Sequence, residues 1–192
     1  MKIYDITKEL LGCKPFSGDR PAELSMVKHA ERDGYNLSDL SISVHNGTHI
    51  DAPLHFIADG ADTASLELSA CVGSCVVINI PEPVDAARAR IIIETGEKRI
   101  LIKGGGLLTP RAAEIFCGGG VVFVGVETES PALPEDMAAV HTALLGHGIA
   151  VAENLDLRNI EAGCYFLFAA PLKISGAEGA PCRAVLVDYS GI

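Results

Sequence analysis

The chain has 192 residues, 48% of them hydrophobic, with only 5% aromatic and no Trp. That length suits one domain over residues 1–192 with a largely aliphatic core, and the apolar content excludes a disordered chain. Acids outnumber bases 25 to 15, a formal charge of −10. A field of that sign repels phosphate backbones and anionic lipid, so neither nucleic acid nor a membrane surface is expected as a partner.

Residues 2–7 open the chain as a predicted strand. Charges at Lys2, Asp5, Lys8 and Glu9 fall where the apolar core of a secretory signal would sit. No apolar run approaches the roughly 18 residues of a membrane span. A cytoplasmic protein is the resulting expectation. The six cysteines form no Cys-x-x-Cys pair; they are expected to be buried free thiols rather than a zinc site. Further Val- and Ile-rich strands are predicted at 40–45, 75–80, 99–103, 121–126, 149–153, 165–169 and 183–188. One helix opens at Thr109-Pro110, with Thr as N-cap and Pro at the first helical position. A second opens at Leu133-Pro134, carries Met137, Val140, Leu144 and Leu145 on an apolar stripe, and ends at Gly146 and Gly148. Many short strands with few helices predict a mixed α/β domain, with the topology left open.

Chemistry concentrates in one segment, His45-Asn-Gly-Thr-His-Ile-Asp-Ala-Pro-Leu-His55. Leu40, Ile42 and Val44 alternate with Ser41, Ser43 and His45, which predicts a half-buried strand with His45 on its polar face. Asn46-Gly47 then makes a turn. In the extended run that follows, His49 and Asp51 project to one side. Pro53 rules out the helical His pair of a zincin. A turn can still bring His45 beside His49 and Asp51, and two imidazoles with one carboxylate suit Zn, Mn or a similar ion with a position left for water. His55 follows the proline turn, placed to shuttle protons. On spacing alone, a metal site and a solvated polar loop both remain open.

These residues resemble a family, the cyclase-like metal-dependent hydrolases that include bacterial kynurenine formamidase. The hallmark His-x-Gly-Thr-His-x-Asp-x-Pro-x-His reads here without departure as His45, Gly47, Thr48, His49, Asp51, Pro53 and His55. Tyr4-Asp5-Ile6-Thr7 resembles the opening strand. Phe16-Ser17-Gly18-Asp19 resembles a Tyr-Pro-Gly-Asp loop, with Phe and Ser as departures. Val72-Gly73, Pro171-Leu172-Lys173 and Gly179-Ala180-Pro181-Cys182-Arg183-Ala184 match further segments.

The resemblance implies a swivelling β/β/α-type domain and a homodimer or homotetramer with pockets near the subunit interface. It also implies two more ligands, His141 and Glu153, twelve residues apart, so that Asp51 bridges two ions. Without it, His141 reads as a helix-surface residue. His147 reads as a helix C-terminal residue and His29 as a solvated loop residue. Glu127, where relatives often carry Asp, reads equally as support for the ligands or as a loop acid.

The implied activity is arylformamidase-like hydrolysis of an amide C–N bond, N-formylkynurenine to kynurenine and formate in tryptophan catabolism. Hydroxide on a Zn or Mn ion would attack, with His55 moving the proton and Phe16 and Phe56 forming a stacking wall for the substrate. The scarcity of aromatics weighs against an aromatic substrate. Two alternatives stand beside this activity: a hydrolase of cyclic amides, imides or lactones of the isatin hydrolase kind, and a metal-binding protein without catalysis.

Overall fold

The computed structural model describes residues 1–189. In chain order the strands and helices are β1 (Lys2–Asp5), β2 (Glu23–Lys28), α1 (Ala30–Asp33), β3 (Leu37–Ser41), β4 (His49–Asp51), α2 (Leu68–Cys71), β5 (Val72–Asn79), α3 (Ala86–Ile93), β6 (Arg99–Lys103), α4 (Pro110–Gly118), β7 (Phe123–Val126), α5 (Met137–Gly146), β8 (Ala150–Glu153), β9 (Gly163–Phe168), β10 (Gly179–Pro181) and β11 (Val185–Asp188). Single 3₁₀ turns occur at Pro53–His55 and Thr63–Ser65.

Nine strands form one sheet in the order β1-β11-β9-β5-β6-β7-β8-β4-β10. Its centre, β5 to β8, is parallel, joined by crossovers through α3, α4 and α5. Alternation in these strands serves two cores. Ile100, Ile102, Val124, Val126 and Val151 face a layer closed by Ala89, Ile92, Phe116, Val140 and Leu144 of the helices. Leu101, Phe123, Ala150 and Ala152 face the other way, against Ile6, Ile50, Leu167 and Leu186 from both ends of the sheet. Both faces are apolar because parallel strands are covered on both sides. The second core requires the sheet to curl until its ends share one interior, and a bridge between Thr7 and Leu155 joins them. The chain is thus a mixed α/β domain with a curled sheet.

Helix starts follow their caps. Thr109 Oγ1 accepts from Ala112 N–H ahead of Pro110, as the sequence predicts, and Asp85 does the same for Arg88 N–H at the start of α3. The helix predicted from Leu133-Pro134 begins later. A turn closed by Asp136 N–H to the Leu133 carbonyl precedes it, and α5 starts at Met137. Val140, Leu144 and Leu145 are buried as the stripe predicts, and Gly148 takes a left-handed φ of 73° beyond the helix.

The strand expected at 40–45 is different. β3 ends at Ser41 and pairs only with β2 in a separate hairpin, exposed along its whole length. The alternation is real, but the apolar side chains Leu24, Met26 and Leu40 find no cover among the described residues. The chain then turns, with Asn46 Oδ1 accepting from Ser43 N–H at 2.7 Å, so His45 sits in a turn and not on a strand. The cysteines are free thiols, but only Cys71, Cys75 and Cys182 are buried; Cys164 is exposed.

Phe116 is fully buried between the helices and the sheet. Phe116→Ala is expected to cost about 3–5 kcal/mol, measured by urea unfolding. A loss below about 1 kcal/mol would show that this layer tolerates a void there.

Candidate metal centre

β4 carries His49 and Asp51, and antiparallel pairing sets His49 directly opposite Glu153 of β8. Directly opposed residues in such a ladder have Cβ atoms roughly 4.5–5.5 Å apart. Glu153 stands at the carboxyl end of a parallel strand, where open α/β sheets bind ligands. α5 supplies His141 from the layer above, and the turn before β4 swings His45 back over Asp51.

The structure therefore brings together His45, His49, Asp51, His141 and Glu153. Asp51 Oδ1 lies 3.1 Å from His45 Nδ1 and 3.4 Å from His49 Nε2. Its Oδ2 lies 3.6 Å from His141 Nε2. Glu153 reaches His141 Nε2 at 3.2 Å and His49 Nε2 at 3.3 Å. The donors fall into two groups that share Asp51: His45, His49 and Asp51, and Asp51, His141 and Glu153. Asp51 is fully buried, and His49, His141 and Glu153 nearly so.

Both Asp51 oxygens and the Nε2 atoms of His45 and His49 are buried without a hydrogen-bond partner. The Asp51 oxygens and His49 Nε2 face one another and are costly to desolvate unless something positive stands among them, whereas His45 Nε2 lies on the far side of its ring, toward Glu178. Nitrogen and carboxylate donors in this combination suit a divalent ion, so the residues present fit a metal. Two backbone contacts aim the rings. His49 Nδ1–H donates to the Gly47 carbonyl at 2.9 Å and His141 Nδ1–H to the Met137 carbonyl at 2.8 Å, which leaves each Nε2 facing the carboxylates to carry either a proton or a metal.

Electrostatics say the same. Burial opposes charge on His49 and His141, but Asp51 and Glu153 outweigh it and push both rings up to about 10. Burial also opposes charge on Asp51, yet the three imidazoles hold its carboxyl well below the usual carboxylate range. His55 is the contrast: burial first of all holds it below its ordinary value of 6.5, so the ring is neutral near pH 7. Its ring lies 4.3 Å from that of His45 and 5.9 Å from that of His141, overlooking both donor groups.

Above the cluster is a cavity of about 190 Å³. Phe16 and Phe56 both line it. Phe56 stacks on His141, with centroids 4.5 Å apart and planes 17° apart, whereas Phe16 is 40% exposed. Asp19, Glu129, Ser130, Met137 and Asn154 also line the cavity, beyond the site residues expected from the sequence. Asp19 lies in the loop that resembles the family's, and Asn154 follows Glu153 directly; those were the available signals. Glu127 is not in the cluster: its Oε2 accepts from Gly104 N–H at 2.7 Å and holds a loop. His147 caps the C-terminus of α5 and His29 precedes α1, exposed.

One expectation follows for metal binding. In the metal-free protein His49 and His141 are protonated at neutral pH, and ligation needs the neutral rings. Binding of a divalent ion should therefore release about two protons near pH 7, and affinity should rise with pH. Calorimetry in buffers of different ionisation enthalpy measures this; binding without proton release would contradict the charge balance described above.

Comparison with known proteins agrees with this geometry. The Cyclase family model, described as "Putative cyclase", matches residues 4–98. A solved potential metal-dependent hydrolase with cyclase activity is 25% identical, with a TM-score of 0.79, and the match covers 96% of each chain. A predicted metal-dependent hydrolase from Bacillus stearothermophilus is 24% identical with a TM-score of 0.79, covering 96% of this chain and 97% of that one. Isatin hydrolase A from Labrenzia aggregata, bound to benzyl benzoate, is 22% identical with a TM-score of 0.84, covering 97% of this chain and 93% of that one; at that identity the likeness is one of fold. The motif, the donor cluster and the fold together support the cyclase-like family of metal-dependent hydrolases for this chain.

Proposed function

We propose that the protein hydrolyses the C–N bond of a small amide, with Zn or Mn held by His45, His49, Asp51, His141 and Glu153. The observation that carries this reading is the position of His55, a neutral ring beside both donor groups in the same cavity. A divalent ion there would polarise the amide carbonyl and acidify an attacking water. His55 takes the proton as the water oxygen attacks the carbonyl carbon, then returns it to the nitrogen as the C–N bond breaks. Phe16 and Phe56 hold a flat apolar body, and Met137 fills the wall beside them.

The lining favours a compact, neutral cyclic amide such as isatin. Asp19 and Glu129 line the cavity, and no Lys or Arg does so among the described residues. The carboxylate of N-formylkynurenine would find no cationic side chain there. Ring opening of a cyclic amide produces a carboxylate, which the same acids would repel toward solvent. N-formylkynurenine is the second reading, and one observation favours it: its ammonium group could pair with Asp19 or Glu129.

The test is a panel of isatin, N-formylkynurenine and an aromatic lactone with the metal-loaded protein. Isatin should turn over fastest. Bound metal with no turnover of any of the three would leave a binding protein and end the hydrolase reading. His55→Ala should keep the metal and lower kcat by about 10²–10⁴. It should also abolish the acid limb of the rate profile, whose inflection in the wild type is expected below 6.5 because burial depresses this ring. An unchanged acid limb would remove His55 from that role.

The reading extends to assembly. A lone two-stranded hairpin is marginal in water, and the apolar face of β2–β3 is open at Leu24, Met26 and Leu40. A homodimer or homotetramer would cover it. Leu24→Glu with Leu40→Glu should then shift the mass seen by light scattering to that of a single chain; an unaltered assembly would place the interface elsewhere.

A further inference from the structure

To ligate a metal, each imidazole of the donor cluster must present one ring nitrogen without its proton. For His49 and His141 the backbone makes that choice, because the Gly47 and Met137 carbonyls accept from Nδ1–H. Among the described residues no backbone carbonyl does this for His45. Its Nδ1 faces Asp51 Oδ1 at 3.1 Å, while its Nε2 is buried and has no hydrogen-bond partner. Glu178 Oε1 stands 3.5 Å from that Nε2.

We propose that Glu178 is a positioning residue that holds His45 as the Nε2–H tautomer, so that His45 meets the metal through Nδ1 while His49 and His141 meet it through Nε2. The inference rests on the metal reading given above. Edge strand β10 is built for this. Its backbone is pinned by Ala52 N–H to the Glu178 carbonyl at 2.8 Å, and Gly179 pairs with Asp51 across the ladder. A Cβ at Gly179 would lie 2.7 Å from His45 Cε1, 3.1 Å from Nδ1 and 3.3 Å from Nε2. The glycine is therefore a shelf on which the ring lies flat, and the residue before it supplies the carboxylate at the ring's far nitrogen. The Glu178 side chain is 43% exposed and makes no other ion pair among the described residues. At 3.5 Å the pair stands at the outer limit of a contact, and closing it would make a charge-assisted hydrogen bond. Carboxylate–histidine–metal arrangements of this kind fix the ring and raise its basicity.

The test uses the whole chain with Zn or Co, read by chelator competition and by nitrogen NMR of the His45 ring. Glu178→Ala should weaken metal affinity about 10–100-fold. Glu178→Gln, whose amide oxygen still accepts, should stay within a few-fold of wild type. NMR of the Zn-loaded wild type should show the proton on His45 Nε2. A proton on Nδ1, or Glu178→Ala binding as tightly as wild type, overturns the proposal while leaving the metal centre intact. A wild-type protein that binds no divalent ion removes the metal reading and this inference together.

Discussion

Two carboxylates taken out of water, Asp51 and Glu153, are the constraint around which the site is arranged. A buried carboxylate carries a desolvation penalty of several kcal/mol unless positive charge meets it. Three imidazoles meet these two at 3.1 to 3.6 Å, close enough for charge to count and too poorly aligned to satisfy the Asp51 oxygens. The cluster is thus stable in two ways: with protons on His49 and His141, or with a divalent ion among neutral rings. Choice between the two is a competition between protons and metal, which is how metal sites come to depend on pH. Without the β4–β8 ladder the competition could not be staged, because a one-residue slip would turn His49 and Asp51 away from Glu153.

The residues of the motif that bear no donor atoms serve this geometry. Gly47 has a φ of 64°, and a side chain there would press on Leu10 at 3.3 Å. Thr48 clamps the loop to the opposite strand: its Oγ1 accepts from Lys8 N–H at 2.9 Å and donates to the Asn154 carbonyl at 2.5 Å. Asn154, directly after Glu153, is the only non-glycine at positive φ among the described residues, at 58°. That conformation is held on three sides: by Thr48, by its own N–H to the Thr128 carbonyl, and by Lys8 Nζ to its Oδ1 at 3.0 Å. A residue kept in a sparsely populated conformation needs surroundings that over-determine it. Here those surroundings come from three separate stretches of chain, so the strand that ends in Glu153 stops where the donor cluster needs it to stop.

What could be read in advance follows from how local each cause is. The strand at 99–103 was legible because Ile100, Leu101 and Ile102 face two cores in turn, a pattern written within five residues. The start of α4 was legible because Thr109 and Pro110 are themselves the cause. His45 was legible as a site residue but not in its setting: the alternation before it belongs to a hairpin, whose lack of cover is a tertiary fact. β2, β10 and α3 escaped for related reasons. β10 has three residues, one of them proline, and exists because β4 offers an edge. α3 alternates Ala with Arg and buries only Ala89 and Ile92. His141 illustrates the limit best. Nothing in its helix distinguishes it from a surface histidine, and only the register of β4 on β8 gives it carboxylates to face.

This division of labour also separates chemistry from selectivity. The donors sit on β4, β8, α5 and one tightly bonded turn, where backbone hydrogen bonds and two apolar layers fix their positions. Phe16, Asp19 and Glu129 stand on loops, and Phe16 is exposed. Loops tolerate substitution far better than the strands they join. Substrate preference can therefore change by altering those three side chains while the donor cluster stays as it is. The acids at the cavity wall, Asp19 and Glu129, belong to this variable part of the site. They add negative charge at the wall beside a centre whose own two carboxylates are offset by protonated rings or by a divalent ion.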